Sequence, residues 1–288
     1  GNKVIVLDNL NSGLKSYVHP KAEFFWCDVR EGENRIAQIL KDKNVEYVFH
    51  LVSLPYIPEC FGNPIPFIEV NSMGTLNVLE ACRIAKVRKV LVYSSAEIYG
   101  TKIEPIKESD KLNPQSTYGV GKIAAEQLSI MRFVEVGLPV VINRQFNVYS
   151  WRARHPYIIP ELISQLLKSS TIYLGNIYAW RDFLFVTDAV NMAIELLEKG
   201  IAGEVYNIGA ENCIQIKELA HIIGKIVGHR KIRIIIDKNR LRPWDISKLQ
   251  SDNIKLFNTI SYRPKVDLET GLKMVIKKYK ENNKKWDF

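Results

Sequence analysis

The runs KVIVLD, AEFFWCD, VEYVFHLVS, KVLVYSS and LPVVINRQFN punctuate the first half of the chain, and most of their side chains are apolar on consecutive positions. A strand with one wet face alternates polar and apolar residues, so runs without that alternation must be buried on both faces. Between them lie amphipathic helical stretches: IAQILKDK, NSMGTLNVLEACRIAK and YGVGKIAAEQLSIMRFVEVG. Buried strands separated by helices of this kind require a parallel sheet with helices on each side, the doubly wound Rossmann-type α/β arrangement.

Beyond WRARHPYIIP the order is less regular: RDFLFVTDAV, EVYNIG, the helical IKELAHIIGKIV, the strand KIRIII and the helical LETGLKMVIKKYKE. These read as a smaller C-terminal α/β lobe. The expected division is a first domain over residues 1–150, with 182–207 returning to it, and a second lobe made of 151–181 and 208–288. No internal repeat or low-complexity linker interrupts either part, and 288 residues are ample for a core of their own.

Charge and cysteine usage exclude several classes of function. The net charge of +9 comes partly from KKYKENNKK, KVRK and GHRKIR, with no interleaved aromatic and basic stripe, so a nucleic-acid groove is not expected. An anionic small molecule suits the same charge. Cys27, Cys60, Cys82 and Cys213 form no CxxC pair, which argues for reduced thiols. The histidines lack metal-ligand spacing, so no metal is expected, and His155 is read as polar surface or satisfied core. No run reaches the length of a membrane span and GNKVIVLDN lacks a signal-peptide layout, so a soluble cytoplasmic protein is expected.

Tyr118 and Lys122, in STYGVGK, lie one helical turn apart and project from one face. A tyrosine is a poor base near neutrality unless a nearby positive charge favours its phenolate. Lys122 could supply that charge, and Tyr118 could then take a proton from a hydroxyl. The spacing alone also occurs by chance on amphipathic helices.

The motifs KVIVLDNLNSG, CDVRE, HLVS, NSMGTLNVLEA, YSSAEIYG, YGVGK, RQFNVYS, RDFLFV, YNIG and RLRPWD follow one another in the order seen in the extended short-chain dehydrogenase/reductase family. From end to end the chain resembles its nucleotide-sugar epimerases and dehydratases. The resemblance implies NAD on the first lobe and a nucleoside-diphosphate sugar on the second. It places Asp8 at a strand end, where a carboxylate accepts ribose hydroxyls and disfavours a 2′-phosphate; DNLNSG is equally good turn chemistry. Asp28 and Val29 match the adenine contact, Leu51, Val52 and Ser53 the segment beside the cofactor, and Asn71 a brace between loops. The glycine-rich GxxGxxG turn of the family is absent, and the expectation is a fragment lacking the first βα unit.

In the family, the hydroxyl matching Ser95 bonds the sugar 4-hydroxyl beside Tyr118 and Lys122. Epimerases need no carboxylate at position 97, whereas in 4,6-dehydratases a glutamate there removes the carbon 5 proton. Glu97 therefore favours a dehydratase, and so does LGN-x-x-x-x-RD in YLGNIYAWRDF, which resembles GDP-mannose dehydratases and the UDP-N-acetylglucosamine dehydratases of legionaminic acid pathways. Ala96, where many dehydratases have an aspartate or serine, is common in 4-epimerases, the alternative. UDP-glucuronate decarboxylases also have a Ser-Glu pair, and a non-catalytic binding protein is the remaining rival. Asn147, Arg181 and Arg242 match positions contacting the substrate near its phosphates, and Asp245 one holding the ribose. Tyr149, Ser150 and Trp151 depart from the family's usual loop. The apolar face of Met73, Leu76, Val78 and Leu79 is core or a dimer helix, and a homodimer serving surface polysaccharide synthesis is expected.

Overall fold

A computed structural model describes residues 1–283, 285 and 286; Lys284, Asp287 and Phe288, inside the expected second lobe and its basic tail, lie outside the described residues. The chain begins with a parallel pair, β1 (Ile5–Asp8) and β2 (Glu23–Trp26). Helix α1 (Glu33–Asp42) leads to β3 (Tyr47–His50). Two short turns of helix, α2 (Ile57–Cys60) and α3 (Ile65–Ile68), then run through a π-helical stretch, Glu69–Met73, into α4 (Gly74–Ala85). Next come β4 (Lys89–Ser95), the long α5 (Thr117–Val136) and β5 (Val140–Gln145).

The missing alternation in β4 and β5 has the structural meaning expected of it. Val90 and Val92 enter one apolar cluster with Ile36, Leu40, Val78 and Leu79 from α1 and α4. Leu91, pointing the other way, enters a second cluster with Met192 and Leu196 of α7 (Val186–Lys199). The main sheet is parallel throughout, in the order β3, β4, β5 and β9 (Val205–Ile208).

The doubly wound arrangement is present in two pieces. The β1–β2 pair forms no ladder with the main sheet, although Leu7 and Val48 pack against the same core. The outer edge of β3 is unpaired among the described residues, and Tyr47 and Phe49 on it are exposed.

In the second lobe, β8 (Trp180–Phe185) pairs with β6 (Asn147–Tyr149), β10 (Cys213–Gln215) and β12 (Lys248–Leu249). A parallel pair, β7 (Thr171–Leu174) with β11 (Arg233–Ile236), lies beside them. Helices α6 (Ile158–Leu166), α8 (Ile216–Ile226) and α10 (Leu268–Glu281) share their core. The expected boundaries shift accordingly. Residues 147–149 already ladder in the second lobe because Tyr149 packs with Phe183 and Phe185. Of the returning segment, β8 stays in the second lobe, while α7 and β9 join the first. The short α9 (Ile254–Thr259) also joins the first, through Leu256.

One buried ion pair fastens α5 to the main sheet. Arg144 on β5 grips Glu126 on α5 in a two-point contact, its Nε 3.0 Å from Oε2, and both side chains are nearly inaccessible. The remaining guanidinium nitrogen donates to the Tyr99 hydroxyl at 2.6 Å and the Glu108 carbonyl at 2.8 Å. Removing one member of such a pair strands the other charge. Glu126→Leu should lower unfolding free energy by about 3–5 kcal/mol in urea titrations, and Glu126→Leu with Arg144→Met should recover most of that loss.

Candidate active site

The site forms where β4 ends and α5 begins. Ser95, the last residue of β4, accepts a hydrogen bond on Oγ from the Glu97 amide at 3.2 Å and so closes the tight turn Ala96–Ile98. Ser116 caps α5 by accepting from the Gly119 amide at 3.1 Å. Gly119 permits the approach of the two elements: a Cβ there would lie 3.3 Å from the Glu97 carbonyl oxygen and 3.0 Å from Pro114. The helix start is thereby brought against the turn, and Tyr118, Lys122 and Ser95 are all buried.

Burial governs the ionisation of this group. It pushes the Tyr118 phenol up to about 12, reinforced by the charge of Glu97 and opposed by hydrogen bonds with Ser95 and Ser53. It pulls Lys122 down to about 8. Lys122 Nζ donates to the Tyr93 carbonyl at 2.8 Å and stands 6.0 Å from the centre of the Tyr118 ring. In the free protein the cost of burying the phenolate thus outweighs the help expected from Lys122, whose ammonium is directed to a carbonyl. His50, behind Lys122, is bonded to Thr75 at 2.9 Å and is driven down to about 3, first by burial and then by Lys122.

Glu97 is half-buried. Burial raises its pKa, Arg181 and Arg242 pull it down, and Asp245 pushes it up again, so the two arginines and the turn Ala96–Ile98 share one electrostatic neighbourhood. Asp245, expected at the ribose, is bonded within the protein through both oxygens. Oδ1 takes Arg181 Nη2 at 3.0 Å, and Oδ2 takes Asn176 Nδ2 at 2.9 Å. It therefore aims Arg181, which also donates to the Trp180 carbonyl; Arg242 stands 3.9 Å from the same carboxylate and is more open. Asn147 Oδ1 is enclosed with no hydrogen-bond partner, and so is Gln115 Oε1, a residue that sequence reasoning missed although it immediately precedes the cap of α5.

The expected cofactor residues divide. Asp8 Oδ1 accepts from the Leu10 amide at 2.6 Å, so the turn chemistry of DNLNSG is realised. Its Oδ2 has no bond among the described residues and faces Gly13, where a Cβ would come within 3.2 Å of it. Asp28 is spent on its own loop: it accepts from the Arg30 amide and guanidinium and from Asn9, and Arg30 holds its carboxyl far below the usual range. The Val29 side chain is buried against Gly74, so it offers no free surface to an adenine. Leu51 is exposed and Val52 half-buried; Ser53 Oγ donates to Asn71 Oδ1 at 3.1 Å, which also accepts from the Leu54 amide at 2.9 Å. Asn71 thus braces this loop from a fully buried position. An open carboxylate oxygen at one strand end and a buried Tyr–Lys pair at another fit the two ends of a dinucleotide. No glycine-rich turn of amides lies between them among the described residues.

His155 departs from both roles expected of it. Its ring stacks on Tyr56, with centroids 4.9 Å apart and planes 8° from parallel, and its Nε2 is enclosed without a partner. Tyr157 meets both rings edge-on. Nothing in sequence spacing could have paired residues so far apart.

The family model for GDP-mannose 4,6-dehydratase matches residues 2–275. A putative UDP-glucose 4-epimerase of Methanocaldococcus jannaschii is 31% identical over 98% of this chain and 92% of its own length. Among solved structures, the UDP-glucose 4-epimerase of Thermotoga maritima with UDP-glucose superposes with a TM-score of 0.90 at 27% identity, over 98% of this chain and 92% of that one. The dTDP-glucose 4,6-dehydratase of Streptomyces venezuelae with NAD bound gives 0.89 at 27%, over 99% and 89%. Epimerases and dehydratases both appear among the similar proteins, the M. jannaschii epimerase at higher identity and coverage than the human dTDP-D-glucose 4,6-dehydratase, which is 29% identical over 86% of this chain.

The depressed pKa of Lys122 makes a prediction about stability. Folded, it titrates at about 8; unfolded, at its ordinary 10.5, so the unfolded chain holds the proton more tightly. Its contribution is fully present above the unfolded value and is lost as pH falls through the folded one. The stability of the wild type relative to Lys122→Met should therefore climb by roughly 3 kcal/mol between those two pH values, read from urea midpoints.

Proposed function

The chain belongs to the GDP-mannose 4,6-dehydratase family, within the NAD-dependent nucleotide-sugar epimerases and dehydratases of the extended short-chain dehydrogenase/reductase type, and we propose that it is a nucleotide-sugar 4,6-dehydratase. The observation that carries this reading is Glu97: a carboxylate on the turn after Ser95, close enough to Tyr118 to raise its pKa, and itself raised by burial. A carboxylate made more basic by desolvation is suited to removing a proton from carbon.

On this reading Tyr118 takes the proton of the sugar 4-hydroxyl, with Ser95 positioning that hydroxyl and Lys122 steadying the charge that develops on the phenol oxygen. NAD, when bound, would supply the hydride acceptor for carbon 4 and the hydride donor for carbon 6, with no net consumption over a cycle. Asp8, Leu51, Val52, Ser53, Tyr118 and Lys122 would hold it, and the Asp8 carboxylate disfavours a 2′-phosphate, hence NAD rather than NADP. Once carbon 4 is a ketone, Glu97 removes the acidified carbon 5 proton. Ala96 packs with Ile98, Tyr99 and Phe146 and brings no acid, so on this reading Glu97 also gives that proton to the hydroxyl leaving carbon 6 as water, and a solvent proton takes its place on carbon 5 when hydride reaches carbon 6. Arg181 and Arg242, aimed by Asp245, pair with the diphosphate, and Asn147 offers its unpartnered oxygen to the substrate.

The second reading is a 4-epimerase, favoured by Ala96. Exposed Met73, Val120, Met131 and Val134, along the π-helical stretch and α5, support the expected homodimer. No helix of the described residues is long and apolar enough to cross a membrane.

The test is incubation with NAD and UDP-, GDP- and dTDP-sugars in heavy water, read by NMR and mass spectrometry. The dehydratase reading expects loss of water with deuterium at carbon 5, and a fall in turnover of about 100-fold or more in Glu97→Gln. Inversion at carbon 4 without solvent deuterium, undiminished in that variant, would make the protein an epimerase.

A further inference from the structure

His155 lies on the loop that follows β6, and Tyr56 on the loop that follows β3, so their stack joins the two lobes. A second tie runs beside it: Arg154 Nε donates to the Ser12 carbonyl at 2.5 Å. The stack borders the catalytic group. Leu54 and Ile57, on either side of Tyr56, pack against the cluster of Cys60, Phe67 and Tyr118. Tyr157 feels the charges of both Tyr118 and Arg242, so the aromatic cluster shares the electrostatic surroundings of the proposed base and of one proposed phosphate arginine. Between those two groups is where the sugar of a nucleotide sugar has to lie.

Within this cluster one polar atom is unsatisfied. His155 Nε2 is enclosed and bonds to nothing, whereas the rings on either side are held by stacking alone. Buried polar atoms in folded proteins are nearly always paired, so an orphan beside the catalytic candidates calls for a partner, and a bound ligand is one group that can supply it. Tyr157, the outer ring, is 40% exposed, so the cluster borders solvent on that side. Burial holds the imidazole below its ordinary pKa, so the ring is neutral near pH 7 and suits an uncharged hydroxyl or acetamido group better than a carboxylate.

We propose that His155 is a substrate-positioning residue whose Nε2 hydrogen-bonds an uncharged substituent of the sugar ring, with Tyr56 and Tyr157 fixing its plane. The inference rests on the nucleotide-sugar reading above and adds to it the side of the pocket that distinguishes one sugar from another.

The informative variant is His155→Phe, which keeps an aromatic ring in the stack and removes both ring nitrogens, the orphan among them. With NAD present, binding of UDP-N-acetylglucosamine, GDP-mannose and dTDP-glucose would be measured by calorimetry beside UDP, GDP and dTDP, with thermal melting as the control. For the sugar nucleotide that binds, the dissociation constant and KM should rise about tenfold, as for loss of one buried hydrogen bond. The bare nucleoside diphosphate should bind within about twofold of wild type, kcat should hold within the same margin, and the melting temperature should not fall, since an unpaired polar atom has been removed. A purely structural role predicts the opposite, a lower melting temperature with both ligands weakened in proportion. Unchanged sugar-nucleotide affinity in His155→Phe, with the wild type turning over, would overturn this inference and leave the function standing. If the wild type bound none of the sugar nucleotides, both would fall.

Discussion

The Arg144–Glu126 pair is the constraint on which the geometry of the site depends. Neither side chain reaches water, so each charge must be matched within the protein. Arg144 sits in the middle of the main sheet and Glu126 two turns along α5 from Tyr118, so the pair fixes how far α5 can slide or rotate over β5. The network continues through the Tyr99 hydroxyl, which donates to Asn207 Oδ1 at 2.7 Å on β9, and through Glu108, whose carboxylate accepts from the Asn207 amide at 2.8 Å. Tyr99 follows directly on the turn that bears Glu97. The helix carrying the proposed proton acceptor and the turn carrying the proposed carbon base are thus anchored to the same guanidinium.

What the sequence discloses and what it hides follow from range. The buried parallel sheet was legible because β4 and β5 lack alternation and are covered on both faces, whereas β2 and β3 lack it too and yet leave Trp26, Tyr47 and Phe49 exposed at the sheet margins. Tyr118 and Lys122 were legible because helix geometry alone places them together. Asp245 was not: its commitment to Arg181 and Asn176 is made across the second lobe, by folding that a local pattern does not encode. The same holds for His155, whose neighbour in space is Tyr56 in the other lobe. The division of β8 from β9 was hidden because both are short, and the ladders of β8 with β6, β10 and β12, together with the packing of Tyr149 with Phe183 and Phe185, decide which sheet receives β8. Asp8 is an intermediate case, since the turn and the open strand-end carboxylate are each satisfied by a different oxygen.

Burial gives the site a common electrostatic character. It drives Tyr118 up, Lys122 down and Glu97 up, in each case toward the neutral form. The free site is therefore reluctant to hold charge, and charge that develops during a reaction has to be met by groups already aimed at it. Ser95, beside the phenol, is placed to meet such charge, whereas Lys122 is bonded to the Tyr93 carbonyl and stands 6.0 Å from the centre of the Tyr118 ring.

Glu97 carries this one step further on the proposed reading. In the free protein, two opposing influences set its basicity: burial raises it and the positive charges of Arg181 and Arg242 lower it. A diphosphate paired with those arginines would cancel much of their field while excluding water from the cleft. Both changes act in the same direction, making the carboxylate a stronger base when a sugar nucleotide is in place. Asp245 makes this coupling specific, because by aiming Arg181 it fixes where the phosphate charge must sit to relieve the pull on Glu97. The substrate's own anionic end would then raise the basicity of the group that attacks its sugar.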